Sequence, residues 1–185
     1  IGIGSFNADS EITVDQMTFV GGASAIEVVG EPSLTRAKIS VNDLSVSDTE
    51  GYCIHAYHAF DLSVTNSRFT RCGGYPIGLW GTGTAVLENL VIQGSGEALT
   101  LLGDGGIVAR LRNVELTGGK KVGIVLHGDA NDSFDLGTEA SPGHNTFRGN
   151  NGLGDPAFAN LVLYLREPAV VHATGNTWDS NQQGA

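Results

Sequence analysis

The stretch LSVTNSRF, residues 62–69, decides how the chain folds. Leu62 and Val64 flank Ser63, so one face of a short strand is apolar and the other polar. Asn66 interrupts the alternation, and Phe69 closes a second short strand. The block returns as ITVDQMTF at 12–19, ISVNDLSV at 39–46, AVLENLVI at 85–92 and ARLRNVEL at 109–116. Its last residues, Phe19, Val46, Phe69, Ile92 and Leu116, follow one another at intervals of 27, 23, 23 and 24. Two weaker copies end in Phe147 and Trp178, each 31 residues further on.

A third alternating strand recurs upstream of each block. It reads AIEVVG at 25–30, CIHAYH at 53–58, PIGLWG at 76–81, ALTLLG at 98–103 and GIVLHG at 123–128, with a sixth copy of open register in Leu161–Leu165. A period this short cannot hold a strand–helix–strand crossover, which takes about 30 residues before its partner strand is counted. It fits one coil of a three-sided solenoid, each coil stacked about 4.8 Å above the last. The expected fold is therefore all-β: a three-sided parallel β-helix of about seven coils of 22–31 residues. Ile77 should lie over Ile54, Leu79 over Ala56 and Phe69 over Val46. Gln16, Asp43, Asn66, Asn89 and Asn113 share one bend, where Asn and Asp tolerate left-handed backbone and can hydrogen-bond from coil to coil.

Composition agrees. Of 185 residues 27 are Gly, only 16% are charged and three are Lys (Lys38, Lys120, Lys121), too few charges for the faces of long surface helices. A hydrophobic content of 41% excludes a disordered chain. The net charge of −10 opposes a nucleic-acid surface, and no apolar run approaches the ~18 residues of a membrane span. Ile1-Gly2-Ile3 aligns with Ile77-Gly78-Leu79, inside a coil. Residues 1–185 are accordingly expected to be one β-helix domain cut from a longer protein, with further coils or domains of the parent chain as neighbours. The inserts at 128–144 and 149–160 would cover an end of the rod or build a site on one side.

The three-strand coil with an Asn-rich bend resembles the right-handed parallel β-helix of the pectin lyase-like superfamily, over nearly the whole chain. The stretch SPGHNTFRGN (141–150) followed by GNTW (175–178) is similar to the end of β-helix repeat proteins of bacterial cell surfaces. The resemblance implies a right-handed coil and an extracellular or cell-surface bacterial location. It leaves the activity open, because lyases, glycosidases, tailspikes and adhesins all share the fold.

In the catalytic members, the chemistry lies on the outward side of the first strand. The outward positions here are Gly2, Glu27, His55, Gly78, Thr100 and Val125. A lyase column of acids for Ca²⁺ would need more than Glu27, and the paired aspartates of a hydrolase are missing. Asp61, Asp104, Asp129 and Asp132 are the substitutes on offer. Next in line stand Tyr57, Trp80, Leu102 and His127, after Val29. These rings either cover the core or offer a strip for sugar rings, which makes Tyr57, Trp80, His127 and the adjacent His55 the candidate ligand contacts. His55 and His58 point to opposite sides of a strand, so a zinc site is not expected. Asp129, Asn131, Asp132 and Asp135 carry oxygen ligands at short spacing: a Ca²⁺ loop, or a solvated turn. No other cofactor is expected. Cys53 and Cys72 are either one disulfide, fitting an exported protein, or two free thiols.

Two functions follow from different classes. One is a non-catalytic surface module (stalk, adhesin or assembly segment) that contacts polysaccharide or another surface protein. The other is a carbohydrate-active enzyme working along the first-strand face.

Overall fold

The structure is a computed structural model and describes residues 2–3, 11–29, 37–150 and 160–179. No helix occurs among them. The first rung holds β1 (Gly2–Ile3), β2 (Glu11–Asp15) and β3 (Thr18–Val20); the second holds β4 (Ile26–Val29), β5 (Ala37–Asn42) and β6 (Ser45–Ser47). In the third, β7 (Ile54–Thr65) runs along two sides and β8 (Arg68–Thr70) forms the other. In the next two rungs, β9 (Ile77–Gln93) and β10 (Leu99–Thr117) each run along all three sides. Then come β11 (Ile124–Gly128), β12 (Ser133–Asp135) and β13 (Thr146–Arg148), and last β14 (Leu161–Leu165), β15 (Val170–His172) and β16 (Thr177–Trp178).

All these strands pair in parallel, and the first side stacks in the order β1-β4-β7-β9-β10-β11-β14. The expected superpositions are met: Ile54 opposite Ile77, Ala56 opposite Leu79, Val46 opposite Phe69. Leu161–Leu165 takes the register Ile124 to Leu161 and Leu126 to Leu163. Inward side chains form one dry column from Ile26 to Phe147, in which Phe60, Phe69, Phe134 and Phe147 are fully buried. About five turns are closed around this core. The repeats predict about seven, and the difference lies at the ends. Ile12 and Phe19 in the first rung, and Leu161, Val171 and Trp178 in the last, are only half-buried, each packing on a described coil at one side.

The bend works as the residue types require. Gln16, Asp43, Asn66, Asn89 and Asn113 have φ between 51° and 55°. His144 (φ 53°) and Gly175 (φ 75°) continue the column, so Asn145 and Asn176 fall one residue past the bend. Asn113 Nδ2 donates to Asn89 Oδ1 (3.1 Å), Asn89 to Asn66 (3.0 Å) and Asn66 to Asn42 (2.8 Å), and Asn42 donates to Asp15 (2.7 Å). The ladder steps to Asn42 beside the bend, whose side-chain amide both accepts from Asn66 and donates to Asp15, which the Asp43 carboxylate could not do. Asn145 is instead buried. Its Oδ1 accepts the Val114 N–H and its Nδ2 donates to the Leu136 carbonyl, at 2.9 and 3.0 Å.

A second left-handed column, not foreseen from the repeats, follows the third side: Gly21, Asp48, Arg71, Gly94, Gly118 and Gly149. Glycine is obligatory elsewhere, at the corner between the first and second sides of β9. There Gly83 has φ 128°, and a Cβ would stand 1.8 Å from the Phe60 carbonyl oxygen of the coil before.

Cys53 and Cys72 form a disulfide, both residues buried, with Cα atoms 5.8 Å apart. The bridge joins the start of β7 to the turn after β8. It links the entry turn of one coil to the same turn of the next, two turns that also hydrogen-bond from the Gly73 N–H to the Thr49 carbonyl and from the Cys53 N–H to the Tyr75 carbonyl.

Two stability predictions follow from these contacts. A Cys53→Ala/Cys72→Ala variant should lose about 3 kcal/mol in urea denaturation, the loop-closure value for a span of this length. Asn89→Ala should cost about 2 kcal/mol, from a left-handed alanine and two broken ladder bonds, and Asn89→Gly should recover the backbone part.

Candidate functional site

Strand register lines up the outward face of the first side. Its floor runs Glu27, His55, Gly78, Thr100, Val125, Val162, and the next outward column runs Val29, Tyr57, Trp80, Leu102, His127, Tyr164. The entry turns, carrying Tyr52, Tyr75, Glu97 and Lys121, supply the opposite rim. Part of this outward floor is not exposed, contrary to the sequence expectation: His55 is fully buried and Thr100 nearly so.

Aromatic rings cover His55. Tyr52 lies 4.0 Å from its ring centre, Tyr57 3.8 Å, and Trp80 4.4 Å edge-on. Tyr52 and Tyr75, at equivalent points of successive coils, stack in parallel at 5.6 Å. Gly78 makes the space, since a Cβ there would be 3.3 Å from His55 Cδ2. Neither ring nitrogen of His55, nor Trp80 Nε1, has a hydrogen-bond partner. Burial lowers the His55 pKa to about 4, so the ring is neutral at ordinary pH. Tyr57 and Tyr75 are raised by burial, then by neighbouring phenols and carboxylates.

Beyond this cluster the face opens. A cleft of about 250 Å³ has Thr100 and Val125 on its floor, Tyr75, Glu97 and Lys121 along one wall, and His127 and Tyr164 along the other. Lys121 Nζ donates to Glu97 Oε1 at 2.5 Å. His127 and Tyr164 stack at 4.7 Å with ring planes 25° apart. Burial, and then the charge of Arg166, lowers the pKa of His127. A smaller hollow continues past His127 between Asp129 and Arg166.

A family model described as a right-handed beta helix region matches residues 2–151. The chain belongs to this family. No curated protein and no solved structure gives a significant match.

On this β-helix the acids named from sequence are already engaged. Asp132 is buried, its Oδ1 accepting the Gly106 and Ile107 N–H groups (2.6 and 2.9 Å) and its Oδ2 the Asp129 N–H (2.7 Å). Asp135 accepts from Arg112 Nη2 at 2.6 Å and from the Gly137 N–H at 2.8 Å. Burial raises its pKa, but those two bonds and the Arg112 charge outweigh that and leave it lowered. Asp61 accepts from the Thr84 amide and hydroxyl, and Asp129 from the Ala130 N–H. The side chain of Asp104 lies outside the described residues. Of the residues read as a Ca²⁺ loop (Asp129, Asn131, Asp132 and Asp135), three carry carboxyl groups, and two of these, on Asp132 and Asp135, are held by backbone amides and a guanidinium; no three His, Cys, Asp or Glu side chains converge as a metal site among the described residues.

The β-helix thus brings Tyr57, Trp80 and His55 into one closed cluster and places His127 in the open cleft. The repeats did not single out Tyr52, Tyr75, Tyr164 or the Glu97–Lys121 pair. Two signals were present: Tyr two residues before Ile54 and again before Ile77, and opposite charges one coil apart.

The His55 environment sets a pH dependence. The unfolded chain binds a proton near pH 6.5, while the native chain refuses it until about pH 4. Stability should therefore fall as pH drops through that window, by up to about 1.4 kcal/mol per pH unit from this group, and level off below it. The His55 resonances should titrate near pH 4, and His55→Phe should flatten that part of the stability profile.

Proposed function

We propose that this β-helix is a non-catalytic module of an exported, surface-associated protein, and that the cleft on its first side holds a neutral glycan. The observation that carries the reading is the cleft itself. Tyr75, His127 and Tyr164 give ring faces, Thr100 and the Lys121–Glu97 pair give hydrogen-bonding groups, and Val125 gives an apolar floor. Sugar rings have apolar faces and hydroxyl edges and need both kinds of partner. Coils rise about 4.8 Å apart, close to one pyranose residue of a linear chain, so equivalent side chains can meet successive residues of a polymer.

A buried disulfide supports an oxidising compartment. The charge of −10 disfavours a strongly acidic polymer. The non-catalytic part rests on the carboxylates: Asp61, Asp132 and Asp135 are each held by the fold, and Glu97, which does line the cleft, is paired with Lys121 and has no second carboxylate beside it in the lining. Another surface protein is the alternative partner, and protein capture without glycan binding would favour it.

A glycan array followed by titration of the retained ligands tests the reading. Tyr164→Ala should weaken binding about tenfold, the loss of one stacked ring. Val108→Ala, exposed on the second side, should change nothing. An array with no retained glycan, or binding indifferent to Tyr164, would sink the proposal.

A further inference from the structure

We infer that the cleft is blind at one end and takes the terminus of a glycan chain rather than an internal stretch. This rests on the reading that the cleft holds glycan, and adds which part of the glycan it holds.

The floor of the first side is one column, yet it changes character along its length. At Thr100 and Val125 it is the base of an open cleft. One rung earlier, at Gly78, the space over the floor is taken by the protein's own imidazole. His55 leans from its rung over Gly78, and Tyr52, Tyr57 and Trp80 close around it at 3.8 to 4.4 Å. Tyr75 belongs to both regions: it stacks on Tyr52 in the closed cluster and lines the cleft. A chain lying along the axis from Tyr164 toward Tyr75 would therefore meet a wall. An internal segment would have to leave the floor and climb over the rings that cover the buried His55.

The wall is flanked by groups that a chain end would meet. Next to it stand the Tyr75 phenol and the Lys121–Glu97 pair, close enough together that the Glu97 charge helps to raise the Tyr75 pKa. A terminal residue presents one more free hydroxyl than an internal one. A protonated phenol, an ammonium and a carboxylate beside the wall can serve it, where an internal residue would present a glycosidic bond. The two nitrogens of His55 and Trp80 Nε1 are buried within the wall, so none of them is presented to the cleft.

The experiment uses a neutral linear glycan retained on the array, prepared as fractions of increasing chain length and immobilised at equal mass. Binding at chain ends predicts bound protein per gram falling in inverse proportion to chain length, with the same apparent Kd at every length. Bound protein per gram that does not depend on length, while Thr100→Trp abolishes binding, would show glycan in the cleft along internal segments. That result overturns chain-end recognition and leaves the glycan reading intact. Binding that survives Thr100→Trp would put the glycan outside the cleft and overturns both. His55→Gly, which empties the wall, should raise the number of proteins bound per long chain; if it lowers thermal stability too far to measure, His55→Ala at reduced temperature gives the same readout. An unchanged number of proteins per chain in a folded variant would count against the wall.

Discussion

A side chain in this molecule must be compatible with whatever occupies the same position one coil away. Parallel pairing puts equivalent residues about 4.8 Å apart, so each inward residue packs mainly on its own counterparts. Ile54 meets Ile77, Leu99 meets Ile124, and Phe69 lies between Val46 and Ile92. Apolar residues satisfy this rule without difficulty, because burying one favours burying the next. Charged residues do not, unless the sign alternates. Glu97 with Lys121, Asp48 with Arg71 and Arg110 with Glu88 are each one coil apart and of opposite sign. Amide side chains satisfy it in a third way, as donor and acceptor at once, and so Asn dominates the bend.

The same rule produces the site. Where every position must stack, a cavity can arise only if a large residue is followed by a small one. Along the outward floor the sequence runs His55, Gly78, Thr100, Val125. The largest ring is followed by the smallest residue, which accepts it; the next two are short enough to leave open space. Closed cluster and open cleft are thus two consequences of one size gradient. The neighbouring rim follows no such gradient: it carries rings toward both ends (Tyr57 and Trp80, then His127 and Tyr164) with Leu102 between.

Much of this was legible in the sequence, and for a physical reason. Inward stacking leaves a periodic apolar signature, and left-handed bends leave a periodic Asn and Asp signature. Ile54, Ile77, Leu99 and Ile124 could be superposed before any coordinates, as could Asn66, Asn89 and Asn113. What could not be read was the outcome of competition for space off the lattice. Alternation assigns His55 to the outside, and it does point outward, yet the neighbouring turns cover it. Nothing in the period states that Tyr52 and Tyr75 fold over the sheet instead of away from it. The aspartates of 129–135 had their partners hidden in the same way. Their spacing suits a cation loop, but Asp132 meets the open amides of Gly106 and Ile107 in the preceding coil, and that partnership is visible only in three dimensions.

The disulfide connects these two levels. Cys53 follows Tyr52 directly, and Cys72 lies three residues before Tyr75. The bridge is buried on the inner side of the two turns whose rings stack at 5.6 Å on the outer side. Turns are the parts of a solenoid least constrained by pairing, so aromatic residues placed on them would ordinarily sample several orientations. Fixing the turn bases removes much of that freedom, and the stacked pair then needs less enthalpy to stay ordered. The bridge therefore sits where it restrains the wall of the cleft. A cross-link elsewhere in the rod would lower the entropy of the unfolded chain comparably, without holding Tyr52 over His55 or Tyr75 against the cleft.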